Sequence, residues 1–261
     1  MLTGIWAYRY FIIASIKAEF FGRFARSKIG AIWFILHPLS MALIYALVLS
    51  EVLGAKLGGI DNQAGYALYL LSGVTAWGIF SETANRGMMM FIDQGEAIKK
   101  VAFPKICIPV IMMGNALINQ LILFTSVAVI FIVYQQPPTI HWLAIPVGLV
   151  LLMAFGFGIG LLCGVLNVFA RDVGQVMSVV LNLWFWLTPI VYSVGMLPAS
   201  MTASINNNPA TPLVAIYQDA MIYNKWPNWE SLFYPISIIV VLLILGFTVF
   251  RKAASELVDA L

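Results

Sequence analysis

Charge is what this chain lacks most. Asp, Glu, Lys and Arg make up 10% of its 261 residues, against a hydrophobic share of 62% and a mean hydropathy of +0.94. An ordinary globular domain is about a quarter charged, so a water-soluble globule is excluded. Cysteine is scarce as well. Cys107 and Cys163 each lie in or beside an apolar run, which argues against a disulfide framework and leaves both as small packing residues. The two histidines are isolated: His37 precedes Pro38 and His141 flanks an apolar run, with no spaced metal-ligating or nucleophilic partners. No stretch matches G-x-x-x-x-G-K-[ST], so the chain is not itself an ATP motor of the phosphate-loop kind. The start of the chain lacks a short apolar stretch followed by a small-residue cleavage site, so no cleaved leader is expected.

What is present is a series of long apolar runs. About 20 apolar residues cross a bilayer core, and six runs meet that need, at residues 32–53, 67–92, 106–134, 143–169, 176–192 and 233–250. A further apolar stretch at 213–223 is too short to cross. It is expected to dip into the outer leaflet as a short helix or re-entrant hairpin, where protein shields the backbone. Basic residues set the orientation. With both ends in the cytosol, only Lys56 and Lys225 fall outside, and every other Lys and Arg falls on the cytosolic side. The net charge of +3 therefore serves topology and is no footprint of nucleic acid.

Residues 5–28 do not make a seventh span, because Arg9, Lys17, Glu19, Arg23 and Arg26 are too many charges for a crossing helix. At 100° per residue Arg9, Glu19, Arg23 and Arg26 share one sector of about 100°, beside a sector holding Trp6, Ile13, Phe20 and Phe24. This pattern predicts an amphipathic helix along the inner interface, with Arg23, Arg26 and Lys28 near anionic lipid headgroups. It serves either as an anchor, or as a surface that admits a lipid-bearing substrate or docks a cytosolic partner. The expected fold class is all-α: six transmembrane helices, this interfacial helix, and short re-entrant or extracytoplasmic helices between the fifth and sixth spans. One transmembrane domain covers 1–261. The interfacial helix occupies 1–29, spans one to five 30–195, an extracytoplasmic gate segment 196–230, and the sixth span with a cytosolic tail 231–261.

Charge crowds in only one loop between spans, residues 94–109 (QGEAIKKVAFPKICIP). Glu96, Ile98, Lys99, Lys100, Val101 and Phe103 read as a short mixed helix that Pro104 stops. A short helix held at the cytosolic face of a membrane bundle is a handle for a soluble partner. Positive-inside topology alone would need the lysines but not the helix-then-proline pattern.

Several blocks in chain order carry a family resemblance. They are Arg26-Ser27-Lys28-Ile29-Gly30 with Trp33 and Pro38, then Gly73-Val74-Thr75-Ala76-Trp77, then Ile98-Lys99-Lys100-Val101-Ala102-Phe103-Pro104. Further on come Leu166-Asn167-Val168-Phe169-Ala170-Arg171-Asp172-Val173, Thr188-Pro189-Ile190-Val191-Tyr192 and Asn208-Pro209-Ala210-Thr211-Pro212-Leu213. Together they resemble the permease subunit of type-2 ABC exporters, nearest to the branch that exports lipid-linked polysaccharides such as O antigen, capsule or teichoic acid. Phe24 stands where many members have Tyr after Arg.

The resemblance implies a homodimer in the bacterial inner membrane, served by two copies of a separate cytosolic ATPase that binds ATP and Mg. No cofactor would be bound by this chain. It implies that Glu96 to Pro104 forms the helix that couples to the ATPase, with Lys99 and Lys100 as charged contacts and Ile98 and Phe103 as apolar anchors. A long polymer cannot be enclosed in one pocket, so the dimer should form a channel. Trp33, Phe34, Trp184, Phe185, Trp186 and Tyr192 suit sugar faces there, although aromatics at span ends also form interfacial belts. Pro189 should bend or break the fifth span and place a gate near the outer face. Arg171 and Asp172 fall in a short cytosolic turn, where they brace the ATPase side or cap two helices. Glu82 and Arg86, spaced i, i+4, read as a structural ion pair. A second reading keeps the same fold but exports a drug, antibiotic or small lipid.

Overall fold

The computed structural model describes residues 6–24, 63–95 and 104–254, with the isolated positions 32, 36, 40, 44, 256 and 257. The described residues form eight α-helices and no strand. They are α1 (Arg9–Phe24), α2 (Gln63–Asp93), α3 (Cys107–Val133), α4 (Ile145–Phe169), α5 (Asp172–Leu187), α6 (Ala199–Asn206), α7 (Ala210–Met221) and α8 (Phe233–Ala253). A membrane protein built from helices satisfies every backbone group within each segment. The expected first span, 32–53, lies outside the described residues apart from isolated positions.

Three stretches, Cys107–Val133, Ile140–Phe169 and Glu230–Ala253, are long and apolar enough to cross a bilayer. The chain is a multi-pass membrane protein. Helix α2, at 31 residues, is about 46 Å long but carries Glu82 and Arg86 in its body. Helix α5 is shorter than the run at 176–192: its 16 residues reach about 24 Å, less than a hydrocarbon core of about 30 Å.

The helix ends follow local chemistry. α3 begins just after Pro104 and ends where Gln135 adopts a left-handed φ of 61°. There the Gln136 N–H reaches back to Phe131 O at 2.9 Å, the closing bond of a Schellman-type cap. α5 starts with Asp172 in its first turn, at the positive end of the helix dipole. It stops because Thr188, which precedes Pro189, is extended at φ −102°, ψ 135°.

Helix α4 is the axis of the bundle. Gly156, Gly160 and Gly164 recur every fourth residue, so they share a face, and that face lies on α2 backbone to backbone. A Cβ on Gly160 would come within 2.9 Å of Ala84 O and of Gly87 Cα, and one on Gly164 within 2.4 Å of Gly87 O. Small residues at this spacing allow close approach where lipid supplies no hydrophobic driving force. Gly158 turns the opposite way, toward Leu242 of α8. Above this contact Trp77, Phe80, Phe155 and Trp184 form an aromatic core, with Phe80 stacked on Phe155 at 4.9 Å. Buried α7 packs near the start of α2 and α1 near its other end.

Candidate functional site

Two polar constructions stand at opposite ends of α2. The first ties α1 to the bundle. Ile12 and Ile16 of α1 pack on Cys107, Val110 and Ile111 of α3, which carries Glu19, one turn further on, inward. Arg86 of α2 sits between two carboxylates, with Nη1 2.9 Å from Glu19 Oε1 and Nε 2.9 Å from Glu82 Oε1. From α3, Asn115 Nδ2 donates to Glu19 Oε2 and Asn119 Nδ2 to Glu82 Oε1, each at 2.6 Å. The expected i, i+4 pair forms, as one part of a network across three helices. The amphipathic split drawn from sequence differs: Glu19 leaves the polar sector for the bundle, because Arg86 and Asn115 offer it charge-assisted hydrogen bonds. Trp6, Tyr10, Ile13 and Phe21 stay exposed. A cavity of about 440 Å³ opens beside the network between α1, α2 and α3, with Glu19, Arg86 and Asp93 in its wall.

Beyond Arg86, α2 runs to Asp93, and the chain returns at Pro104, whose carbonyl accepts the Cys107 N–H at 2.9 Å. Lys105 Nζ donates to the carbonyl of Ala254, just past the end of α8. Phe91 stacks on Phe250 at 5.5 Å. Glu96, Ile98, Lys99, Lys100 and Phe103 lie outside the described residues. Arg26, Lys28, Trp33, Phe34 and His37 also lie outside them, and Arg23 is placed only as part of α1. Arg171 and Asp172 are exposed at the tight turn between α4 and α5.

The second construction surrounds the end of α5. Where a helix breaks, its last carbonyls lose their partners, and inside a membrane each orphan is costly. Here side chains replace the lost N–H groups. Asn208 Nδ2 donates to Leu187 O at 3.2 Å, Gln218 Nε2 to Pro189 O at 3.0 Å, and Tyr66 OH to Val191 O at 2.8 Å. Tyr69 OH lies within reach of Pro189 O at 3.3 Å and Tyr192 O at 3.2 Å. Asn208 also accepts the Trp184 indole N–H at 2.8 Å and caps the Ala210 N–H of α7 at 3.0 Å. Tyr192 OH donates to Trp186 O at 3.0 Å. Farther along, burial pushes the Asp219 carboxyl up, and Lys225 Nζ, 3.2 Å from Oδ1, acts against that shift.

This geometry divides the aromatic cluster. Trp184 is half-buried, edge-on to Phe80 and Phe155. Phe185 is half-buried against Trp77 at 5.9 Å. Trp186 alone of the three faces outward, 62% exposed. Pro189 is buried at the break and Tyr192 half-buried. His141 pairs edge-on with Trp226 at 5.3 Å, and no metal-binding cluster occurs among the described residues.

Sequence reasoning passed over Glu19 as an inward group, and also Asn115, Asn119, Tyr66, Tyr69 and Gln218; Asn167 and Asn208 entered only within the family blocks, with no role. The available signal was polar side chains inside or beside apolar runs, which need partners. Asn115 and Asn119, an i, i+4 pair in the third run, announce a polar stripe even before its partner is known.

Comparison with known proteins adds one family match and three similar permeases. A family model described as ABC-2 type transporter matches residues 10–222. An O-antigen export system permease protein RfbA of Klebsiella pneumoniae is 30% identical over 236 residues, covering 88% of this chain and 86% of that protein. A second RfbA of that organism is 28% identical over 234 residues, with the same coverage. The RfbA of Myxococcus xanthus is 25% identical over 263 residues, covering 100% of this chain and 99% of that protein.

Proposed function

The chain belongs to the ABC-2 type transporter family, and on that premise we propose that it is the permease subunit of an exporter of lipid-linked, O-antigen-like polysaccharide. The observation that carries this reading is similarity over 88% or more of the chain to permeases named for O-antigen export. The polymer crosses the bacterial inner membrane, and both ends of this chain face the cytosol, as the basic residues favour. Energy comes from ATP and Mg on two copies of a separate ATPase. Six spans form one transmembrane domain, with the first at 32–53 and the re-entrant α6–α7 segment between α5 and α8.

The ATPase grips Glu96, Ile98, Lys99, Lys100, Phe103 and Pro104. Arg171 and Asp172 brace the same side, and Arg23, Arg26 and Lys28 hold the interfacial helix at the headgroups. Two copies of the chain pair around the polymer path. Support comes from the outward face of α5, where Gln175, Ser178, Asn182 and Trp186 are all exposed and fall within about 80° of arc at 100° per residue. Polar groups there suit water and sugar hydroxyls better than acyl chains, and the Trp186 ring suits a sugar C–H face. Trp33 and Phe34 of the first span complete the wall. Pro189, Tyr192 and α6–α7 form the outer gate, held by the side-chain bonds around the α5 break.

A strain lacking this chain tests the reading. It should lose surface polymer and accumulate lipid-linked polymer on the cytosolic side, and the wild-type chain should reverse both. Undiminished surface polymer would refute it.

A further inference from the structure

We infer that Asn167 is a positioning residue that joins the cytosolic end of α2 to α5, so that a push entering through residues 96–104 reaches the helix carrying the polymer-facing stripe. This rests on the transport role proposed above. Asn167 sits near the end of α4 and is 1% exposed. Its Nδ2 donates to Met88 O of α2 at 3.1 Å and lies 3.5 Å from Met89 Sδ. Its Oδ1 accepts the Gly174 N–H of α5 at 2.9 Å.

An amide is the neutral group that offers a donor and an acceptor on two edges of one plane, and here each edge holds a different helix. The Gly174 N–H belongs to the first turn of α5, whose donors have no partner inside the helix. Arg171 at the N-cap position supplies no side-chain bond, and Asn167 does so from the preceding helix. A Leu of similar size would leave the part-buried Gly174 N–H without this acceptor.

Slack is absent on both sides of the joint. Gly164, one turn before Asn167, lies against Gly87 O, and a Cβ there would come within 2.4 Å of it. Only Ala170 and Arg171 separate α4 from α5, and the Val173 N–H closes that turn onto Ala170 O at 3.1 Å. A Cβ on Gly174 would stand 3.0 Å from both Nδ2 and Oδ1 of Asn167, so the amide would have to give by a few tenths of an ångström. Met88 lies little more than one turn before α2 ends at Asp93. The amide therefore binds the helix that leads into the coupling segment to the helix with the outward polar stripe.

The test uses the full chain with its ATPase in proteoliposomes and reads polymer moved per ATP hydrolysed. Asn167→Ala removes the amide, and Gly174→Ala pushes it aside with one methyl. Each should lower the ratio about fivefold or more, while hydrolysis and the size-exclusion profile of the complex persist. The double variant should be no worse than the poorer single one, because the added methyl then has no amide to displace. Spin labels on Gln94→Cys and Gln175→Cys should give one narrow distance distribution, which Asn167→Ala broadens. An unchanged ratio in both single variants, or losses that multiply in the double, overturns the inference. So does an unbroadened distance. A wild-type complex that hydrolyses ATP without moving polymer overturns the transport reading instead, and the label distances then decide the joint.

Discussion

Neighbouring residues of one type do different work in this chain. Trp184 and Trp186 are two positions apart on α5, yet one is locked among Phe80, Phe155 and Asn208 and the other faces outward. Trp184→Ala should therefore cost about 3–5 kcal/mol and lower the melting temperature of the purified protein. Trp186→Ala should leave that temperature unchanged and reduce exported polymer. Equal melting temperatures for the two variants would contradict the division. Glycines separate in the same way. Gly160→Ala sets a methyl against Ala84 O and Gly87 Cα, whereas a Cβ on Gly22 meets nothing within 4 Å. Overpacking costs about 1–3 kcal/mol, so thermal unfolding should distinguish Gly160→Ala, clearly destabilised, from Gly22→Ala, which stays near wild type.

Among the described residues, Ile12, Ile16 and Glu19 tie α1 to α2 and α3. Because Ile12 of α1 covers buried Cys107, that thiol reports on the attachment. Glu19→Ala in a Cys163→Ser background should expose Cys107 to maleimide several-fold faster, by loss of the Arg86 and Asn115 contacts. A Cys107 as unreactive as in wild type would show that apolar packing alone holds the helix. Local elements were largely legible in the sequence. Pro189 marks the end of α5 by backbone chemistry that acts over one or two residues. The Glu82–Arg86 pair follows from helical spacing alone. Glu19, by contrast, finds Arg86 across 67 positions, and Asn208 finds Leu187 across 21. No local rule reaches so far. The Gly156, Gly160 and Gly164 spacing announces a close helix contact, but only the fold names Gly87 as the other side. The burial of α7 was likewise hidden, since a short apolar stretch reads alike whether lipid or protein covers it.

At the scale of the whole molecule, a membrane bundle with no phosphate loop has a polar network at one end of α2 and a bonded helix break at the other, among the described residues. Arg86, Asn167 and Lys105 fix the helices that flank residues 96–104, and Tyr66, Tyr69, Asn208 and Gln218 fix the end of α5. Such a body transmits a displacement as a unit, because packed cores shift between discrete arrangements and do not deform continuously. The proposed function has energy enter from a separate ATPase through residues 96–104. Its most direct measurement is ATP-driven movement of lipid-linked polymer in proteoliposomes holding this chain with and without its ATPase. The wild-type pair should move polymer only with ATP. The permease alone should move none, and a Lys99→Ala, Lys100→Ala, Phe103→Ala variant should lose transport while remaining folded. Full ATP-driven transport by that variant, or transport without the ATPase, would contradict the account.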